Sequence, residues 1–548
     1  MTSPARMRPR DAPLPWGRVP GALVPGGLVL GLIGALVAGA LVALLRAAPP
    51  DAAAGIWNDA YIGRVVLFTI WQAALSALLA VGLGIVVARA LARRAAFPGR
   101  RAILRLFGLP LVIPVIVAVL GIVSIYGREG IVTRAFAALG WEADGYLYGL
   151  PGILIAHVFF NLPLSVRLLL FTWQAVPGET WRLCAQLGMR SGQIFRLVEW
   201  PMLRAAIPGV AGLVFLLCFM SFTVVLTLGG GPAATIIEVA IYQALRLDFD
   251  LARAVTLALV QIVLCGVFVA FGLRFVHPPA SAPTEGRASD RPDLAGRAGR
   301  WGDACAIALA TLFVALPLAA VVAAGLSGPL ATVLGDATLW RAAARSLAIA
   351  LSAGLLSLAL GWGIVITSRE LAARRHRPRL ADAIEASGSL VLVVSPIVLG
   401  TGLFVLLLPL VDVLSVGLGL VVAINAVMGL PYVIRLLAPP ARRMAEHHDR
   451  LCASLGIAGL DRLRLIDWPA LRRPAALGLA LASALAMGDL GAIALFGTRE
   501  TATLPLLLYQ RMASYRLDEA AVTALVLVTM CLLLFVVIER GVGGRDHA

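Results

Sequence analysis

The sequence contains no lysine, so all 46 of its basic residues are arginine, set against 30 acidic residues. In a P-loop nucleotide site, a lysine contacts the phosphates of the bound nucleotide. The chain therefore cannot form an ordinary ATPase site. We expect any ATP that drives its function to be bound by another chain, with no cofactor in this one.

Charge of either sign is also scarce. Charged residues make up 14% of the 548 residues and hydrophobic residues 60%, with a mean hydropathy of +0.92, whereas a soluble chain carries about 25% charge. Apolar runs of about 20 residues recur, the length of a membrane-spanning helix and twice that of a barrel strand. The sequence predicts an all-α polytopic membrane protein with about 12 transmembrane helices. The predicted spans are 22–45, 65–88, 103–126, 147–171, 207–228, 254–276, 304–326, 346–367, 388–411, 415–437, 475–496 and 521–538.

The arginines are unevenly distributed between alternate loops. If the N-terminus is cytoplasmic, segments on that side hold 35 of the 46 arginines and the opposite loops hold 11. An excess of basic residues in short loops marks the cytoplasmic side of a membrane protein. We therefore expect a bacterial inner-membrane protein with both termini in the cytoplasm. The net charge of +16 then reflects topology, and we predict no nucleic-acid partner.

Cysteine and histidine show no pattern typical of a metal or catalytic site. The six cysteines form no CxxC pair and fall in predicted spans or cytoplasmic segments, so we expect neither disulfides nor a metal site. Of six histidines, only His447 and His448 are adjacent, whereas a membrane enzyme should cluster His, Asp or Glu at one interface. The first apolar run could be a signal peptide, but about 24 residues exceed the 7–15 of such a segment. We interpret it as a retained first helix.

A polar loop occurs twice in the chain. Residues 182–201 read RLCAQLGMRSGQIFRLVEWP and residues 450–469 read RLCASLGIAGLDRLRLIDWP, with ten of twenty positions identical. Flanking segments repeat at nearly the same offset, including LPLSVRLL at 162–169 and LPYVIRLL at 430–437. The sequence therefore predicts two fused, parallel six-helix units. We place the first at 1–276, a flexible cytoplasmic linker at 277–303 and the second at 304–541.

We call the repeated segments loop 1 (178–201) and loop 2 (446–469). In loop 1, Pro177 and Gly178 precede a helix-forming stretch, and Gly188 follows its end, where a glycine usually reverses the chain. Ser191 can cap a second short helix, which we expect Pro201 to end. One copy could be a simple solvated connection. Two copies with the same thirteen-residue spacing from Gly to Pro indicate a shared constraint.

Both loops resemble the EAA loop of the permease subunits of type I (MetI-like) bacterial ABC importers. In that family the loop forms a coupling helix that docks in a groove of the ATP-hydrolysing subunit. The glycines and prolines match the family pattern, but Arg-Leu-Cys stands in both copies where the family has Glu-Ala-Ala. The resemblance implies ATPase-coupling residues at Arg182, Cys184, Ala185, Gly188, Pro201, Arg450, Cys452, Ala453, Gly456 and Pro469.

Fused permeases of this length resemble two groups, the thiamine importers and the ferric-iron importers. The resemblance to thiamine (thiamine pyrophosphate) importer permeases covers nearly the whole chain and is sharpest in loop 1, SFTVVLTLGGGP (221–232), IEVAIYQAL (237–245) and GDLGAIALFG (488–497). It implies a permease with a small-molecule substrate, two ATPase subunits and a periplasmic thiamine-binding protein as partners, all at the lipid bilayer. A ferric-iron or other small-solute importer is the nearest alternative. A secondary transporter would need no docking loop.

Three ionisable residues are candidates for the substrate path, because such groups at membrane depth are often functional. We place Asp489 inside the eleventh helix, where a carboxylate could meet a cationic thiazolium or make a packing contact. His157 lies in the fourth helix and is more often a packing residue. We place Glu238 in an external segment, with a docking or gating surface as the more usual role.

Overall fold

The computed structural model describes residues 23–48, 59–140, 145–273, 291, 297–389, 391, 394–457 and 459–543. Within these residues the secondary structure is helical throughout, and it contains no strand. The arginines of the N-terminal tail and most of the predicted linker lie outside the described residues.

The described residues of the first half contain twelve α-helices, several of them short. Their bounds are α1 Val24–Ala47, α2 Ala60–Arg93, α3 Arg100–Leu106, α4 Val115–Tyr126, α5 Ile131–Ala138, α6 Leu150–Gln174, α7 Gly178–Gln186, α8 Ser191–Ile194, α9 Trp200–Phe219, α10 Phe222–Leu228, α11 Ile237–Arg246 and α12 Leu251–Leu273.

The second half follows the same order. Its helices are α13 Arg297–Ser327, α14 Leu330–Leu334, α15 Ala337–Arg369, α16 Pro378–Ser389, α17 Pro396–Leu407, α18 Gly417–Ser454, α19 Gly459–Arg462, α20 Trp468–Gly488, α21 Gly491–Phe496, α22 Leu504–Ala513 and α23 Leu517–Gly543. Because α13 begins at Arg297, the last residues assigned to the linker are helical.

The predicted polytopic helical fold is confirmed. Among the described residues, eleven helical segments are long and apolar enough to cross a membrane, and the shorter apolar helix α17 lies in the remaining predicted run. Each of the twelve corresponds to one predicted run. The division into units at 276 and 304 stays a prediction.

The third span lies later in the chain than predicted, at Val115–Ala138, and the ninth is shorter than predicted. Residues 103–126 form α3 and α4 separated by an irregular turn, because Pro110 and Pro114 interrupt the backbone hydrogen bonding between them. In the second half, Pro396 begins α17, whose first turn is capped by the Ser395 hydroxyl accepting from Val398 N at 3.3 Å. Both halves therefore use a short third helix that starts at a proline.

The fifth and eleventh spans are broken rather than continuous. α9 ends at Phe219 and α10 begins at Phe222, and α20 ends at Gly488 and α21 begins at Gly491. The prediction of single helices over 207–228 and 475–496 is therefore wrong. Ser221 and Asp489 occupy the two breaks, 268 residues apart, so the break is part of the repeat.

The first helix of each half packs on the other half. α1 lies along α15 and α17, and α13 lies along α4 and also along α23 of its own half. The contacts are close because a glycine faces each first helix. A Cβ at Gly402 would lie 2.7 Å from Ala40 Cβ, and one at Gly121 would lie 2.3 Å from the Pro317 carbonyl oxygen. Each unit thus packs its first helix against the other unit, an arrangement that we call the exchange of first helices.

Candidate functional site

Loop 1 contains the predicted reversal at Gly188. Its helix α7 follows Pro177 and ends at Gln186, and Gly188 then takes a left-handed φ of 60°. The Met189 N–H bonds back to Cys184 O at 3.0 Å, closing the end of the helix. In loop 2, Gly456 has a φ of 68° and Ile457 N bonds to Cys452 O at 2.8 Å. Both glycine reversals are confirmed.

The two loops differ in what precedes this turn. In loop 1, α7 is a separate short helix after the chain breaks at Pro177. In loop 2, the equivalent residues are the end of α18, which runs unbroken from Gly417 to Ser454. Loop 2 is therefore an extension of a membrane-spanning helix, whereas loop 1 is joined to α6 by a turn.

The expectation that Pro201 ends a short second helix is wrong, and the equivalent Pro469 does not end one either. The helix continues from Ser191 through Pro201 to Phe219, and from Leu463 through Pro469 to Gly488. A π-helical turn precedes each proline, at Phe195–Glu199 and at Leu463–Asp467. Each proline occupies the first turn of the following α-helix, where its missing N–H is tolerated.

Each loop buries one face and exposes another. Cys184 and Cys452 are each only 2% exposed, so both pack inward. Arg182, Ala185 and Arg450 are exposed, and Ala453 lies in α18.

The exposed surface includes a pair of leucines in both copies. Leu183 and Leu187 are 54% and 67% exposed, and Leu451 and Leu455 are 53% and 63% exposed. Leucines four residues apart share one side of a helix. The two loops therefore present a matching leucine pair at equivalent positions.

A salt bridge anchors each loop to the second helix of its half. Arg89 Nε lies 2.7 Å from Glu199 Oε2, and Arg369 NH1 lies 3.0 Å from Asp467 Oδ2. The carboxylate of Glu199 is fully buried and also accepts a hydrogen bond from Trp173 Nε1 at 3.0 Å. These pairs are not among the predicted contacts, although each loop has an acid two residues before its proline and each half has the arginine.

Asp489 lies in the break before α21 and not inside a helix, which corrects the predicted position. Its carboxylate accepts hydrogen bonds from Gly491 N at 3.0 Å, Ala492 N at 3.1 Å and Asn425 Nδ2 at 3.2 Å. These bonds satisfy the first free N–H groups of α21, as a capping residue does. The structure therefore gives Asp489 a definite capping role.

Glu238 is 1% exposed, so its side chain is not available as a docking surface, while its place in an external segment stays a prediction. Its carboxylate accepts from Phe222 N, at the start of α10, and from Gln261 Nε2, each at 3.0 Å. The equivalent helices α10 and α21 each have a carboxylate at their first residues. The carboxylate comes from a different sequence position in each half. Asp489 is local to its break, whereas Glu238 comes from α11.

His157 is buried between α2 and α6. Its Nδ1 lies 2.8 Å from Ser76 Oγ, and Asn161 Nδ2 donates to its backbone oxygen at 2.9 Å. Within the described residues Nε2 has no hydrogen-bond partner. The ring packs in the interior, and the structure does not bring it into contact with Asp489 or Glu238. No group of three potential metal ligands occurs among the described residues.

These features define a class of polytopic helical membrane proteins. Its members consist of two similar units, and each unit has a loop with a glycine reversal and exposed leucines. No family model matches the sequence. The sequence is similar to three curated proteins. The thiamine transport system permease protein ThiP of Brucella abortus (strain 2308) is 47% identical over 499 residues, covering 91% of both chains. ThiP of Escherichia coli (strain K12) is 47% identical over 498 residues, 91% of this chain and 92% of that protein.

The third relative is more distant. A candidate ferric transport system permease protein, FbpB 1 of Haemophilus influenzae, is 28% identical over 213 residues, which is 38% of this chain and 33% of that protein. The near-complete coverage by the first two decides the family. The chain belongs to the family of thiamine transport system permease proteins.

Proposed function

We propose that this chain is the membrane-spanning permease of an ATP-driven importer that carries thiamine or thiamine pyrophosphate across the bacterial inner membrane. The observation that carries the proposal is 47% identity to thiamine transport permeases over 91% of the chain. The ferric alternative has weaker support, because that similarity covers only 38% of the chain.

In this mechanism the chain binds and moves the substrate but catalyses no covalent chemistry. A periplasmic binding protein delivers thiamine to the external face, and two ATPase subunits bind ATP below the membrane. Each ATPase subunit holds one loop, and ATP-driven closure of the pair changes the side to which the central path opens. The partners bind the inward and outward states unequally, which drives the change. The arginine distribution supports cytoplasmic termini and loops.

Reconstitution tests the transport role. The chain is placed in liposomes with the ATPase and the binding protein of the same organism, and uptake of labelled thiamine is measured with and without ATP. We expect uptake only with ATP and both partners. Uptake of ferric iron but not thiamine would support the alternative substrate, and thiamine uptake driven by an ion gradient without the ATPase would support a secondary transporter.

The leucine pair tests the docking role of the loops. Replacing Leu183 and Leu187 with serine removes apolar surface that the ATPase would bury, at about 1.5–3 kcal/mol for each fully buried leucine. We expect the affinity of the purified permease for the ATPase to fall at least about tenfold, measured by titration in detergent. Leu139→Ser is the control, since Leu139 is 73% exposed and lies far from the loops in sequence. Equal affinity for the double variant and the control would contradict docking through these leucines.

A further inference from the structure

The acid near the end of each loop contacts two arginines. Glu199 is paired with Arg89 at 2.7 Å and with Arg291 NH2 at 2.5 Å. Asp467 is paired with Arg369 at 3.0 Å and with Arg462 Nε at 3.3 Å. Arg89 and Arg369 come from the equivalent helices α2 and α15, so the first arginine is part of the repeat.

The second arginine has a different origin in the two halves. Arg462 belongs to loop 2 itself and also pairs with Asp449 at the other side of the Gly456 turn. Arg291 belongs to the linker between the units, 92 residues after the acid that it contacts. The equivalent position to Arg462 in loop 1 is Ile194, which is buried and carries no charge. The linker therefore supplies to loop 1 a charge that loop 2 carries within its own sequence.

Arg291 also contacts the first helix of loop 1. Its guanidinium carbon lies 4.2 Å from the centroid of the Trp181 ring, a cation–π distance. Trp181 packs with Cys184 and Ile194 in a small hydrophobic cluster formed by loop 1 and the residues just before and after it. Arg291 thus joins the two helical segments on either side of Gly188.

The burial of Arg291 indicates that this contact is specific. Its side chain is 7% exposed, although it belongs to a polar linker. A charged group is buried at a large cost unless it is paired and hydrogen-bonded. The planar guanidinium can pair with a carboxylate and stack on an aromatic ring at the same time, which a lysine ammonium cannot do as well.

We propose that Arg291 is a positioning residue that holds loop 1 in the shape that docks the ATPase. The linker then contributes Arg291 to the structure of loop 1, whereas loop 2 is held by its own Arg462. The proposal rests on the coupling function proposed above.

The accessibility of the two loop cysteines tests the contact directly. Cys184 and Cys452 are equally buried in the full chain, so each serves as a control for the other. In Arg291→Ala, we expect maleimide to label Cys184 about tenfold faster, with Cys452 unchanged. Loss of about 1.4 kcal/mol from an ion pair and a cation–π contact corresponds to that factor. Labelling is followed by peptide mass spectrometry on inside-out membrane vesicles that contain the full chain without the ATPase.

Matched variants separate a local effect from general unfolding. Arg462→Ala should expose Cys452 and leave Cys184 protected, and Arg300→Ala, an exposed arginine near Arg291, should change neither. Arg291→Lys keeps the positive charge and should give intermediate protection of Cys184. Unchanged labelling of Cys184 in Arg291→Ala would overturn the proposal, as would equal increases at both cysteines.

Transport then tests the consequence for coupling. In the reconstituted complex, Arg291→Ala should lower the number of thiamine molecules imported per ATP hydrolysed. The concentration of binding protein that gives half-maximal uptake should not change, because that protein acts on the opposite face. Faster labelling of Cys184 with an unchanged thiamine-to-ATP ratio would overturn the role in coupling. Failure of the wild-type complex to import thiamine would instead reject the proposed function, and the labelling result does not depend on it.

Discussion

At the scale of single residues, the reversal of each loop depends on the left-handed glycine. Both Gly188 and Gly456 have positive φ, and a Cβ at either position would meet no atom within 4 Å. The penalty for a larger residue is therefore one of backbone conformation, about 1–2 kcal/mol. The surrounding loop leaves space for the side chain itself.

This argument predicts uncoupling when the glycine is replaced. In Gly188→Ala or Gly456→Ala, the strained turn should shift the leucine face, and thiamine import per ATP hydrolysed should fall while the protein remains in the membrane. Gly192→Ala is the matched control, because Gly192 also has open space but no positive φ. Gly188→Asn should restore much of the ratio, since asparagine tolerates the left-handed conformation. Normal coupling in both alanine variants would count against the turn as a transport element.

Asp489 gives a second prediction at this scale. Asp489→Ala removes the acceptor for three hydrogen bonds in the break before α21, and each buried donor left unpaired costs about 1–3 kcal/mol. We expect a clear fall in the thermal unfolding temperature in detergent. Asp489→Asn keeps one acceptor oxygen and should unfold close to the wild type. If that variant is stable but binds thiamine poorly, the charge itself serves the substrate.

The glycine reversals and the loop salt bridges differ in how far they could be predicted from the sequence. The glycine reversals follow from local chain chemistry and were predicted. The anchoring of Glu199 and Asp467 by Arg89 and Arg369 joins residues about 100 positions apart, as the separation of 110 for the first pair shows. Only the repeat could have suggested these pairs, because both partners recur in the second half.

At the scale of helices, proline positions gave the least reliable predictions. A proline after a short amphipathic stretch usually ends a helix, yet Pro201 and Pro469 follow π turns and begin the next α-helical segment. A π turn carries no composition signal, so apolar periodicity cannot place it. Apolar periodicity also could not locate the breaks at Ser221 and Asp489, because the segments on both sides of each break are apolar.

The close packing of exchanged helices leads to a prediction at this scale. Gly402→Val would place side-chain atoms against Ala40, whose backbone oxygen is only 2.9 Å from a Cβ at that position. Overpacking of this kind costs about 1–3 kcal/mol, so we expect a lower unfolding temperature and less protein in the membrane. Gly34→Val is the control on α1, where a Cβ meets nothing within 4 Å. Similar behaviour of the two variants would contradict the close approach of α1 and α17.

At the scale of the whole molecule, the internal repeat predicted two similar units, but not their exchange of first helices. Hydrophobic runs show which segments enter the membrane and leave open which neighbours they contact. α1 packs on α15 and α17, and α13 packs on α4. Each half therefore contributes a helix that packs against the other half.

The exchange predicts that neither half is stable alone. We expect residues 1–276 and 277–548, expressed separately, to be degraded, because each half would leave a helix-binding surface open to lipid. Expressed together as two chains, they should accumulate and copurify. The amount of each half in membranes is measured by immunoblotting. A single half that accumulates as a monodisperse protein would contradict the exchange.

The unbroken path from each loop into the membrane has a mechanical consequence. The helix from Ser191 to Phe219 contains 29 residues, about 44 Å at 1.5 Å per residue. It starts at the reversal of loop 1, is pinned near Glu199 by Arg89, and ends at the break occupied by Ser221. Such a rod can act as a lever with Glu199 as its fulcrum. A tilt imposed at the loop would then be carried along this helical segment to the break at Ser221.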